Sequence, residues 1–204
     1  MKPTNFQRLR ELNLYQQVAV AATLMERMLP NYQLFSQVMN YGDASLLRHT
    51  LDLVWEWLAV KKAKINFSRL ADELAEVTPE INHFDCFGVY PAVDTATALD
   101  ALLNGIEQRD GAELVNVAKI SQASVARLIE YESAELDITS EAELKQHVRK
   151  HPLMQYEMDC LAELLEQVSA VRQFDWAQVK LLQQWVAEQG VSNLGMELAG
   201  EEQA

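Results

Sequence analysis

Apolar residues recur at intervals of three and four along almost the whole chain, the spacing that lines one face of an α-helix. From Phe6 the pattern passes through Leu9 and Leu12, pauses at Asn13, and resumes through Val18, Ala21, Ala22 and Met25 to Leu29. Pro30 is expected to end that helix, because proline lacks an amide proton and its ring crowds the preceding turn. A short helix with Tyr32, Phe35, Val38 and Met39 on one side follows, closed by Asn40-Tyr41-Gly42. Asp43 stands where a cap is needed for the next helix, Ala44 to about Val60, the most apolar of all and the expected centre of the core. Its polar residues Ser45, His49, Asp52 and Glu56 form a narrow stripe, read as a solvent-facing edge on which Arg48 and Asp52 pair four residues apart.

Asn66 caps a helix through Leu70, Leu74 and Val77, which Thr78-Pro79 stops because the residue before proline avoids helical dihedrals. The stretch Asn82 to Asp94 is the least helix-like part of the chain. Asp85 with Gly88 fits a type I turn, and Pro91 suits the first position of a helix through Val93, Ala96, Leu99, Leu102 and Leu103. Asp110-Gly111 then turns into a long helix from Ala112 to about Leu136. After a brief turn, Asp137 to Thr139, Ser140 and Glu143 make a capping box for a short helix that ends by His151-Pro152. The helix from Pro152 carries a stripe of Met154, Met158, Leu161, Leu164, Leu165 and Val168, and Asp175 starts a last helix, Trp176 to Gln189, that Gly190 stops. The fold class expected is all-α, a single-domain bundle of roughly eight to ten helices. It covers residues 1–196, with 197–204 an acidic tail expected to be disordered.

Composition agrees with helices. Only 7 glycines and 5 prolines in 204 residues argue against a β-sandwich with its many turns. The 17 basic and 30 acidic residues give a net charge of -13, which repels phosphate backbones and anionic lipid, so neither nucleic acid nor membrane is an expected partner. Lys61-Lys62-Ala63-Lys64 and Arg149-Lys150 are short runs without interleaved aromatics, read as charges that complement helix C-termini. Cys86 and Cys160 lack a metal spacing and are expected to be free thiols in a cytoplasmic protein. The amino terminus has no apolar signal core.

Candidate chemistry concentrates in two places. Asp85 and Asp94 flank the glycine turn near Tyr90 and could act as paired acids, yet a turn cap and a helix first turn account for them separately. His49, Asp52 and Glu56 share a helix face, but a bundle-core metal site needs two matched Glu-x-x-His pairs, and the one such spacing, Glu80 to His83, lies in a loop. His147 and His151 have zinc-like spacing without an acidic third ligand, and Cys86 beside His83 and Asp85 gains no help in forming a thiolate. The four tryptophans fall at helical spacing as core or interface aromatics. No phosphate-binding or dinucleotide glycine loop is present. No catalytic residue, metal or cofactor is assigned.

Glu26-Arg27-Met28-Leu29-Pro30-Asn31-Tyr32, Leu51-Asp52-Leu53-Val54-Trp55-Glu56, Phe87-Gly88-Val89-Tyr90-Pro91-Ala92-Val93-Asp94 and Ser192-Asn193-Leu194-Gly195 resemble the YjaG-like family of bacterial proteins, a domain family of unknown function. The resemblance spans nearly the whole chain. It implies a single all-α domain in a bacterial cytoplasmic protein and supplies no catalytic residues. With no motif that names a reaction, the reading leans against an enzyme. A helical domain that binds another protein or its own copy is expected, using an apolar groove rimmed by acids. The alternative is a small-molecule or metal-binding protein in which Glu26, His49, Asp52, Glu56, Asp85, Tyr90 and Asp94 form an acidic pocket near residues 82–94.

Overall fold

Side-chain caps set most helix starts. In the computed structural model, which describes residues 3–136, 138 and 140–197, the α-helices are α1 (Asn5–Glu11), α2 (Leu14–Met39), α3 (Ala44–Ala59), α4 (Phe67–Val77), α5 (Val89–Glu107), α6 (Gly111–Glu132), α7 (Glu141–Lys150), α8 (Pro152–Ser169) and α9 (Trp176–Gln189). Thr4 with Gln7, Asn13 with Gln16 and Ser140 with Glu143 form reciprocal capping boxes. Asp43, Asn66, Asp110 and Asp175 accept hydrogen bonds from first-turn amides, each such cap being worth about 1 kcal/mol. Gly190 ends α9 in the left-handed region at φ 67°, as expected of a glycine after a helix. The chain is a single all-α domain. The expected tail falls outside the described residues except for Glu197, as do Asp137 and Thr139 of the turn before α7.

Two expectations are corrected. Pro30 does not end a helix: α2 runs on through it to Met39. Proline removes one backbone bond and costs about 3 kcal/mol in a helix interior. Burial of Met28, Leu29, Asn31, Tyr32 and Phe35 on both sides of Pro30 outweighs that cost and holds the helix together. The centre of the core is also α2 rather than α3. Every residue of α2 from Gln17 to Met25 is buried, and α2, α5 and α6 pack on one another. In α3 the edge of Ser45, His49, Asp52 and Glu56 is exposed, so this helix lies at the periphery, packed on α2. The long sixth helix stops at Glu132, four residues short of Leu136, and passes into a 3-10 turn, Ser133–Glu135.

Through this apolar centre runs a polar chain. Arg27 on α2 and Glu157 on α8 form an ion pair with both side chains removed from solvent. Ser121 on α6 donates to the second Glu157 oxygen at 2.6 Å. Asn193, in the loop after α9, donates to Ser121 Oγ at 3.1 Å and accepts from Asn31 of α2 at 2.8 Å, while its backbone amide donates to the Arg27 carbonyl at 3.1 Å. Three helices and the C-terminal loop are thereby fixed in register. Burial opposes the Arg27 charge, but Glu157 outweighs it and holds the guanidinium pKa above its ordinary value.

Removing one partner leaves the other charge buried and unpaired. Arg27→Met and Glu157→Met are each expected to lower unfolding free energy by about 3–5 kcal/mol. The double variant should lose less than the sum of the singles. Urea denaturation of the four proteins measures this coupling.

Candidate functional site

The seven acidic-pocket candidates separate into two clusters and three solvated side chains. In the first cluster, Glu26 on α2 accepts two hydrogen bonds from the Arg48 guanidinium, at 2.6 and 3.0 Å, and one from the Trp55 indole at 2.6 Å. Arg48 also reaches Asp52 at 2.6 Å. Burial works against the Arg48 charge, yet Glu26 and then Asp52 outweigh it and raise its pKa. Glu26 is so fully engaged with donors that its role is to join α2 to α3. His49, Glu56 and Asp85 are exposed, and no hydrogen bond forms between the Asp85 carboxylate and the turn amides among the described residues.

The second cluster belongs to the Asn82–Asp94 stretch. Phe84 packs edge-on against Phe35 and Tyr41, both at 5.0 Å between ring centroids, which pins the loop to α2. Gly88 has an ordinary helical φ of -56°, so neither it nor its turn requires a left-handed residue. The fifth helix starts at Val89, which places Pro91 third rather than first, and Asp94 beyond the first turn. Asp94 therefore does not answer the helix dipole. It pairs with Arg127 of α6 at 3.5 Å, and the same guanidinium lies over the Tyr90 ring at 5.2 Å. Burial raises the Asp94 pKa against the opposing pull of Arg127 and Ser124.

What this stretch builds is an apolar groove of about 440 Å³. Leu34, Phe35, Val38 and Met39 of α2 form one wall; Cys86, Phe87 and Pro91 form the second; Leu128 of α6 with Leu194 and Met196 completes it. Leu34 is 48% and Val38 68% exposed, high for aliphatic side chains on a well-packed helix. Phe87 stacks on Tyr131 at 4.3 Å, extending the aromatic rim. Glu132 lines the groove and no cation does. His147 and His151 face a shallow hollow elsewhere, where His151 Nδ1 accepts from the Leu153 amide and so caps α8. Among the described residues, no group of three or more His, Cys, Asp or Glu side chains is placed to hold a metal ion. Among those residues, no helix is long and apolar enough to cross a membrane.

Comparison with known proteins settles the family. The model of a protein family described as "Protein of unknown function (DUF416)" matches residues 4–197. This chain belongs to the DUF416 family. It is 34% identical over 191 residues to "Uncharacterized protein YjaG" of Escherichia coli (strain K12), covering 93% of this chain and 94% of the relative. An "Uncharacterized protein" of Haemophilus influenzae is 32% identical over 192 residues, covering 93% and 95%. The crystal structure of a DUF416 family protein from Shewanella baltica OS155 superposes with a TM-score of 0.88 at 37% identity, covering 97% of this chain and all of that one. The relatives are bacterial, and their names and titles assign no activity.

The segments that carry the resemblance to this DUF416 family meet in space. Glu26 bonds Trp55, Arg27 and Asn31 hold Asn193, and Thr95, one residue beyond the third segment, donates to the Met28 carbonyl at 3.1 Å. The polar chain through Arg27, Ser121, Glu157 and Asn193 is absent from the sequence-based candidates, although a signal exists. Glu157 falls three residues after Met154 and four before Leu161, on the buried stripe of α8, whereas Met158, expected on that stripe, is 37% exposed. Arg27 likewise follows Leu24 by three and precedes Asn31 by four. A charge on an apolar stripe marks a buried partner rather than a solvated face.

Because the folded-state pKa of Asp94 lies above its unfolded value, the folded protein binds the proton more tightly. Its contribution to stability is fully present below the ordinary aspartate pKa of about 3.9 and is lost as pH rises through the folded value. Unfolding free energies of the parent and Asp94→Asn, measured from pH 3 to 7, should therefore shift in the parent's favour as pH falls through that window.

Proposed function

We propose that the chain is a non-enzymatic protein-interaction domain whose groove takes the apolar face of an amphipathic helix with basic flanks, supplied by another protein. The observation that carries this reading is the exposure of Leu34 and Val38, one helical turn apart on α2, beside a groove that Glu132 lines and no cation does. An i, i+3, i+4, i+7 apolar face fits such a groove, and cations on its flanks are attracted to a chain of charge -13. The same charge repels a second copy, so a different partner is favoured over self-association. The separation of the Glu26 and Asp94 clusters supports this reading over a single acidic catalytic pocket, because Glu26 is held by Arg48 and Trp55 while Asp94 pairs with Arg127 elsewhere. We also propose the cytoplasm as its compartment, supported by the free thiols Cys86 and Cys160.

A synthetic helix of alternating leucine and lysine faces should bind the full chain, as read by fluorescence anisotropy, and salt should weaken it. A leucine–glutamate counterpart should not bind. Val38→Glu should abolish binding while changing stability by no more than about 0.5 kcal/mol, since this side chain is exposed. Binding that Val38→Glu leaves intact would sink the assignment to this groove.

A further inference from the structure

Four of the chain's cations line a cleft at the opposite end of α2 from the apolar groove. Lys61, Lys62, Arg109 and Arg172 border a cavity of about 660 Å³, and no acidic residue lines it. This is unexpected in a chain with 30 acidic and 17 basic residues. Among the described residues none of the four forms an ion pair, although six other lysine and arginine side chains do. All four are exposed and border the cavity, so the local charge there is positive in an otherwise acidic chain. Lys61, Lys62 and Arg109 lie just beyond the caps of α3 and α5, outside their last turns, and Arg172 follows α8.

Backbone conformation singles out the same residues. Lys62 has φ 65° and Arg109 φ 54°; among the described residues only one other non-glycine, Asn40 at the end of α2, is left-handed. Both follow helices, at positions where glycine is the unstrained choice. Strain retained at two cationic positions of one cleft is the pattern of a binding site.

The rest of the lining is aromatic and apolar. Tyr15 and Trp57 stack at 5.1 Å with planes 15° apart, and Tyr15 is 46% exposed, which leaves it open to a further ring. Leu14, Leu58 and Phe174 lie beside them, and the Gln173 amide supplies both a donor and an acceptor. The volume falls within the range of about 300–1,000 Å³ typical of small-molecule sites.

The geometry points to a nucleotide-class ligand, a phosphorylated small molecule whose phosphates meet Lys61, Lys62, Arg109 and Arg172 and whose planar ring stacks by Tyr15 and Trp57. No glycine loop is needed, because side-chain cations replace the backbone amides of such loops. The cleft is independent of the groove that carries the proposed protein contact.

Calorimetric titration of the full chain with ADP, inorganic pyrophosphate and adenosine tests it. ADP should saturate one site, pyrophosphate should bind more weakly, adenosine should not bind, and raised salt should weaken ADP. Arg109→Gly and Lys62→Gly should each raise the thermal midpoint by releasing strain, while lowering ADP affinity about tenfold. Val38→Glu, in the other site, should leave ADP binding unchanged. Absence of saturable ADP binding, or an affinity in both glycine variants unchanged from the parent, overturns the proposal. Equal binding of pyrophosphate and ADP removes the ring from it. A ten-nucleotide single strand that binds more tightly than ADP and displaces it assigns the cleft to nucleic acid instead.

Discussion

The fold depends on one buried ion pair. Arg27 and Glu157 stand 130 residues apart, neither in contact with water, and each makes the other's position tolerable. Two buried charges pay a heavy desolvation cost, which their mutual attraction offsets only when the geometry is close and the remaining lone pairs find donors. Ser121 and, through it, Asn193 complete that condition. Apolar packing alone would let α8 slide along α2 and α6 with small changes in energy, whereas a displaced ion pair is costly in every other register. The Arg27 Nε and Nη2 atoms remain buried without a partner, so specificity of arrangement, more than net stability, is what this pair contributes.

Around that fixed centre, the second helix organises the surface. At 26 residues it is about 39 Å long, and it begins at the cationic cleft, crosses the ion pair and ends along the apolar groove. Continuity through Pro30 is therefore consequential: a break there would swing Leu34 and Val38 away from Cys86, Phe87 and Pro91. The two surface features differ in chemistry. One is cationic and lined by stacked rings, the other apolar with Glu132 at its edge, so they select different classes of ligand.

Much of the fold was legible because the responsible interactions are local. A cap at Asp43, Asn66, Ser140 or Asp175 acts within three residues, and the 3.6-residue period of α4, α5 and α9 needs no knowledge of neighbours. The Arg48–Asp52 pair, four residues apart on α3, was equally readable. The site was far less so. Asp85, His49 and Glu56 carry attractive chemistry in sequence but are exposed to water, while the apolar groove is made from four separate segments that share no motif. Lys61 and Lys62 lacked aromatic company along the chain; Tyr15 and Trp57 arrive from two different helices, and Arg109 and Arg172 from later turns.

The sequence by itself determined most of the helices, several of their caps, the all-α class and the family, since each rests on local geometry or on direct residue identity. Only the tertiary structure decided that α2 survives its proline, that Arg27 and Glu157 belong inside, and that unpaired cations gather in one cleft. Those outcomes turn on which long-range contacts outweigh a local penalty, whether a lost backbone bond, a desolvated charge or a left-handed lysine. A penalty is visible at a single position, but its compensation lies on another helix.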